Sequence, residues 1–282
     1  MSSSTPPSKR QRRFAPLDPS RSNTHDAPKL RGVVFDVDGT LCLPQNYMFR
    51  EMRSALNIPK SVDILDHINS LSLDADTPNN TSPHSRAQDA IKDIERNAMA
   101  NQQPQPGLNE LFTYLDSRGL RLALCTRNFE LPVTHLLNKF VSEEVRQRIW
   151  PIITRETKGV RPKPSAEGIW ACVEAWQSSS SSGQPSQSSD GNGDGVEITP
   201  EVHDSQKLTE AEKMKMCEGI IMVGDSVDDI EAGARAGAAT VLLVNDENKH
   251  LLDGSAWPKE VDVGVHRLDD LVSILEEGFY GR

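Results

Sequence analysis

The sequence predicts an α/β fold built on a parallel sheet, and three observations carry that prediction. Short apolar runs at residues 33–37, Leu120–Cys125, Trp150–Ile153, Ile220–Val223 and Thr240–Val244 have the length and β-branched content of buried strands. Stretches with apolar residues at helical spacing lie between them. Strands alternating with helices imply parallel pairing through right-handed crossovers. Polar groups follow three of the runs directly, at Asp36, Thr126 and Asp225. Parallel strands bring their carboxyl ends to one edge, where ligands of open α/β sheets bind.

The elements are justified in order. Residues 1–28 are rich in Ser, Pro and charge without apolar periodicity, so a disordered tail is expected. Its basic cluster, Lys9-Arg10-Gln11-Arg12-Arg13, reads first as a solvated tail, second as a nuclear localisation signal and third as part of a mitochondrial presequence. Residues 33–37 form the first strand, and period-two alternation in that strand points Asp36 and Asp38 the same way. Gly39 then lets the chain leave sharply. From Tyr47 to about Ala100 the pattern is helical: Met48, Met52 and Leu56, then Ile64, Ile68 and Leu71, then Ile91, Ile94 and Ala98. This reads as a small α-helical insert over residues 46–103, set apart from a core of residues 29–45 and 104–282. Helices follow at Leu108–Leu115, ended by Gly119, and at Leu131–Val145, Ala166–Trp176, Glu210–Cys217, Ile230–Ala236 and Leu268–Glu277. Residues 178–209 are Ser-, Gly- and Gln-rich at first and polar throughout, and are expected to be a disordered insertion. Within them Asp190, Asn192, Asp194, Gly195 and Glu201 fit an EF-hand loop pattern, but Glu197 sits where an apolar residue belongs and Pro200 disfavours the exit helix.

Composition narrows the function classes. The net charge of −10 disfavours nucleic acid as a partner. No apolar run is long enough to cross a bilayer, so no membrane partner is expected. The cysteines, Cys42, Cys125, Cys172 and Cys217, form no CxxC pair, and reduced thiols point to a cytoplasmic or nuclear compartment, with the mitochondrion as the alternative that the basic start allows.

The polar groups that end the strands suit an anionic substrate. Asp36 and Asp38 come from the first strand, Thr126 from the second and Asp225 from the strand at Ile220, and Arg161-Pro162-Lys163-Pro164 is a stiff loop carrying basic side chains. Carboxylates gathered at one edge repel each other, and a hard divalent cation such as Mg²⁺ relieves that while leaving positions for water and phosphate. A lysine and a threonine hydroxyl then hold phosphate oxygens. Such charge compensation is what phosphoryl transfer chiefly requires.

Asp36-Val37-Asp38-Gly39-Thr40, Thr126, Lys163 and Gly224-Asp225-Ser226-Val227-Asp228-Asp229 together resemble the ordered motifs of the haloacid dehalogenase superfamily of hydrolases. The resemblance implies a Rossmann-like three-layer core, with the helical insert as a cap that closes over the site and selects substrate. It implies Asp36 as nucleophile, through an aspartyl-phosphate, and Asp38 as acid and then base. Thr126 and Lys163 would hold the phosphate. Mg²⁺ would be held by Asp36, the Asp38 carbonyl and Asp225, with Asp229 as a ligand or as an orienting group. An acid two residues after the nucleophile serves phosphate esters, so the phosphatase branch acting on a small phosphorylated metabolite is expected. A phosphomutase and a non-catalytic interaction protein are the alternatives. Lys158 is the rival of Lys163, and Arg50 and Arg53 are candidates for meeting an anionic substrate tail, with a solvated helix face as the other reading.

Overall fold

A computed structural model describes residues 11–23, 26–74, 81–181, 208–249 and 260–281. Its centre is a six-stranded, fully parallel sheet in the order β4-β3-β2-β5-β6-β7. The strands are β2 (Gly32–Phe35), β3 (Arg121–Cys125), β4 (Ile149–Ile153), β5 (Ile220–Gly224), β6 (Ala239–Leu243) and β7 (Val263–Val265). Side chains alternate between two cores, as the pleat requires. Val33, Phe35, Leu122, Leu124, Ile221 and Val223 face a core completed by α4 (Leu108–Ser117), α5 (Glu130–Phe140) and α10 (Asp270–Glu277). Val34, Ala123, Cys125 and Met222 face the other, completed by α7 (Glu167–Ser181) and α9 (Val227–Ala236). Both faces of the sheet are thus covered, which is why its strands read as unbroken apolar runs. All four cysteines are buried and unbridged.

The insert is a separate helical layer. Helices α1 (Asn46–Leu56), α2 (Ile64–Ser70) and α3 (Pro83–Met99) enclose their own apolar cluster, centred on Met48, Met52, Ile64, Ile68 and Ile91. Asp63 caps α2 by accepting from the backbone N–H groups of Leu65 and Asp66, and Ser82 caps α3.

Several expectations need correction. The first strand stops at Phe35, so Asp36 and Asp38 lie in the loop beyond it and no strand alternation aligns them. There the backbone N–H groups of Thr40, Leu41 and Cys42 all donate to the Val37 carbonyl, a tight reversal that the left-handed Gly39 (φ 81°) permits. The helix expected over Leu131–Val145 breaks at Val141, and Glu143–Arg146 form a separate short α6. Strand β7 is too short for its periodicity to be read in sequence.

The disordered tail expected over residues 1–28 is corrected where residues are described. Gln11–Arg12 form β1, paired antiparallel with β8 (Tyr280–Gly281). Phe14 is fully buried against Phe279, their rings 5.6 Å apart, so one large apolar side chain anchors an otherwise polar segment. Arg13 forms an ion pair with buried Asp262 at 2.8 Å, and Arg12 donates to the Tyr280 hydroxyl at 2.7 Å. Part of the basic cluster is therefore used by the fold. Of residues 178–209, expected to be a disordered insertion, 178–181 belong to α7 and Thr209 caps α8 (Glu210–Cys217). The EF-hand-like residues lie outside the described residues.

Candidate active site

The carboxyl ends of β2, β3 and β5 converge as parallel pairing demands. The backbone N–H of Asp36 donates to the Val223 carbonyl at 3.0 Å, which ties the end of β2 to β5. Thr126 is fixed beside it, its backbone N–H donating to Ile153 at 2.9 Å.

Lys163 is the centre of the charge arrangement. It is 4% exposed, and its ammonium lies between Asp36, in a short contact, and Asp229 Oδ1 at 2.5 Å. Its rival Lys158 is exposed. The Asp36 and Asp229 carboxylates raise the affinity of the Lys163 amine for its proton, more than offsetting the opposing effect of burial. Burial pushes Asp36 up to about 7, against the pull of Lys163 and with Asp229 adding repulsion. Burial also raises Asp38, which hydrogen bonds from Asn128 and the Cys42 thiol partly offset.

Asp36, Asp225 and Asp229 can each present a carboxylate oxygen within 4.8 Å of the others. Burial raises Asp225 well above the ordinary carboxylate range, and repulsion from Asp229 and Asp36 adds to it. Such a set of hard oxygens, short of positive charge, fits a divalent cation. The donors are not equivalent. Asp225 accepts from the Asn245 carboxamide at 3.0 Å on Oδ2. Both oxygens of Asp229 are engaged: Oδ1 by Lys163, and Oδ2 by the Ser226 hydroxyl at 2.7 Å and the backbone N–H groups of Ser226 and Asp225 at 3.0 and 3.2 Å. Ser226 and Asp229 form a reciprocal cap on α9.

Several supporting residues carry little signal in sequence. Buried Gln105 donates to the Gly39 carbonyl at 2.8 Å. Asn248 donates to the Asp225 carbonyl at 2.7 Å, and Asn128 bonds Asp38. An Asn directly after Thr126-Arg127 was the one available hint. A Cβ on Gly39 would stand 2.2 Å from Asp225 Oδ2, so this glycine lets two loops touch.

The cap covers this edge. An inner cavity of about 140 Å³ lies between Leu65, Asn69 and Gln88 of the cap and Thr126, Arg155 and Lys163 of the core. It opens beside a cleft of about 880 Å³ that shares Asn69 and Lys163 with it. Among the described residues three ion pairs join the layers: Arg155 to Glu95 through two bonds of 2.6 Å, Lys92 to Glu156 at 2.6 Å, and Arg127 to Asp63. Arg127 also binds Asp228 at 2.7 Å. Arg50 and Arg53 line neither cavity; Arg50 is exposed and Arg53 turns back to the Phe49 carbonyl.

Comparison with known proteins identifies the family and the fold. The sequence model for haloacid dehalogenase-like hydrolases matches residues 30–237, and a second, HAD-hydrolase-like model matches residues 207–271. An uncharacterized hydrolase of Saccharomyces cerevisiae is 34% identical over 248 residues, covering 88% of this chain and 91% of the yeast protein. Among solved structures, a family IA HAD hydrolase from Entamoeba histolytica superposes with a TM-score of 0.53 at 14% identity, over 88% of this chain and 98% of that one. CbbY from Rhodobacter sphaeroides in complex with phosphate gives 0.52 at 16% identity, over 86% and 96%. These two structures speak to the fold alone, and they share its α/β sheet flanked by helices. The sequence match, together with Lys163 seated between Asp36 and Asp229, places this chain in the haloacid dehalogenase-like hydrolase family.

Proposed function

We propose that the protein is a Mg²⁺-dependent phosphatase acting on a small phosphorylated metabolite. The observation that carries this reading is the buried Lys163 ammonium shared by Asp36 and Asp229, bordering a cavity that Thr126 also lines. A phosphate there meets one hydroxyl donor and one fixed cation beside a nucleophilic carboxylate. Asp36, Asp225 and the Asp38 carbonyl would hold Mg²⁺, which would supply the positive charge that lets an anionic carboxylate approach an anionic phosphate.

In this reading an Asp36 oxygen attacks phosphorus, and the bond from phosphorus to the ester oxygen breaks. Asp38, whose raised proton affinity keeps an acid form accessible, gives its proton to the departing alcohol. The resulting carboxylate then takes a proton from water as the water oxygen attacks phosphorus, releasing inorganic phosphate and restoring Asp36. Lys163 holds phosphate oxygens, and Asp229 holds Lys163. Because both Asp229 oxygens are already bonded, Asp229 serves as a positioning residue and not as a metal ligand.

The test is phosphate release from a panel of phosphate esters, with Mg²⁺ and with EDTA, by wild type and Asp36→Asn. Turnover that needs Mg²⁺ and vanishes in Asp36→Asn is expected. Retained turnover in Asp36→Asn, with EDTA present, refutes the mechanism.

A further inference from the structure

One contact between cap and core is built differently from its neighbours. Glu95 of α3 and Arg155, in the loop after β4, are joined by two bonds of 2.6 Å. Their side chains are 3% and 7% exposed, whereas those of the Lys92–Glu156 and Arg127–Asp63 pairs are all 28% exposed or more. A buried two-bond pair fixes the orientation of both partners, which an exposed pair does not.

Arg155 is tied in turn to the loop after β3. Its backbone N–H donates to the Asn128 carbonyl at 3.0 Å, and its guanidinium lies 5.3 Å from the centre of the Phe129 ring. The next residue, Glu156, accepts from the backbone N–H of Glu130 at 3.2 Å, so the two loops are held side by side. Asn128 is buried, and its backbone N–H donates to the Thr126 hydroxyl at 3.2 Å. Its carboxamide bonds Asp38. Contacts therefore run without a break from the cap, through Arg155 and Asn128, to the carboxyl that handles the proton.

We propose that Glu95 and Arg155 are positioning residues for Asp38: the cap carboxylate fixes the guanidinium, the guanidinium fixes the Asn128-Phe129 segment, and Asn128 holds the Asp38 carboxyl within reach of the ester oxygen. This rests on the phosphatase reading and deepens it, by giving a cap residue a part in the acid step. In that step an Asp36 oxygen bonds to phosphorus, the bond from phosphorus to the ester oxygen breaks, and the Asp38 proton passes to that oxygen. An alkoxide leaves poorly without the proton, whereas 4-nitrophenolate leaves unaided. A misplaced Asp38 therefore slows esters of weakly acidic alcohols and spares the nitrophenyl ester. A general loosening of the site slows all esters alike.

The experiment uses the full chain with Mg²⁺ and three esters of similar shape: 4-nitrophenyl, phenyl and benzyl phosphate, whose leaving groups are successively less acidic. It reads kcat/KM, which reports the phosphoryl transfer and not the later hydrolysis of the intermediate. Glu95→Gln keeps the shape of the side chain but loses its charge and one of its two acceptors. It should lower kcat/KM for benzyl phosphate by about tenfold to a hundredfold, toward the lower end of what a positioned acid contributes, and for 4-nitrophenyl phosphate by less than about threefold. Glu95→Leu combined with Arg155→Met exchanges the pair for apolar groups, a change that buried sites often tolerate without loss of stability. The double variant should melt close to wild type and show the same selective loss. Lys92→Ala, which opens only the neighbouring, more exposed pair, should leave the ratio of benzyl to 4-nitrophenyl phosphate unchanged. The inference is overturned, and the phosphatase reading left standing, by any of three results: no loss or an equal loss on all three esters in Glu95→Gln, a normal ratio in a stable double variant, or the same selective loss in Lys92→Ala. No release of phosphate from any of the three by wild type overturns both.

Discussion

Replacing Asp229 by Asn separates its two jobs. The carboxylate is 1% exposed and uses one oxygen for the α9 cap and the other for Lys163. Asn keeps the shape and offers a single oxygen. With that oxygen on the cap, the amide nitrogen faces the Lys163 ammonium, donor against donor. The lost charge-assisted hydrogen bond is worth about 1.5–3 kcal/mol. Lys163 still has Asp36, so it is not left as an orphan charge, which keeps the loss below that of breaking a buried pair outright. In a chain of this size each kcal/mol moves Tm by about 2–4 °C, so Asp229→Asn should melt about 3–12 °C lower. Asp229→Ala also removes the cap and should lose about 1 kcal/mol more. Urea unfolding in EDTA measures both without metal linkage. In Asp229→Asn, Lys163 leans wholly on Asp36 and blunts its attack, so kcat should fall by more than about tenfold, which corresponds to 1.4 kcal/mol of transition-state stabilisation. Stability within about 0.5 kcal/mol of wild type, the range of an ordinary surface change, together with an unchanged kcat, would refute the positioning role.

Other substitutions probe the loops. Gly39→Ala combines a left-handed backbone with a Cβ 2.2 Å from Asp225 Oδ2, so a rise in the Mg²⁺ concentration needed for half-maximal activity is expected, read by titrating activity with Mg²⁺. Gln105→Leu strands the buried Gly39 carbonyl and should cost about 1–3 kcal/mol by urea unfolding, whereas Gln105→Glu, which lacks the donor, should do no better. Burial pushes the thiol of Cys125 to about 11 and that of Cys217 to about 12, against an ordinary value of 9.0. A folded-state proton affinity raised in this way gives stability that is present below the ordinary thiol value and is lost as pH rises through the folded one. Unfolding should therefore become easier from about pH 9 upward, and iodoacetamide should label the native chain far more slowly than the urea-unfolded one, as counted by mass spectrometry.

The sequence carried the sheet because both of its faces are covered, and covered strands show as unbroken apolar runs such as Ile220–Val223. It carried the cap helices because each has one apolar stripe, and Met48, Ile68 and Ile91 meet in one cluster. It missed β1 because two residues of strand show no period, and because a single anchor, Phe14, outweighs a polar neighbourhood. It placed Asp36 and Asp38 in the right loop for the wrong geometric reason, since the strand ends before either of them.

What the sequence by itself determined was local: the residue types at strand ends, their order, and the covered strands that carry them. These follow from short-range pattern, which a single chain displays directly. Only the tertiary structure decided which charges meet. Lys163 between Asp36 and Asp229, Gln105 on Gly39, and Arg127 and Arg155 neutralised by carboxylates from both layers all join residues distant in sequence. Electrostatic interaction depends on separation and burial in space, neither of which the order of residues along the chain expresses.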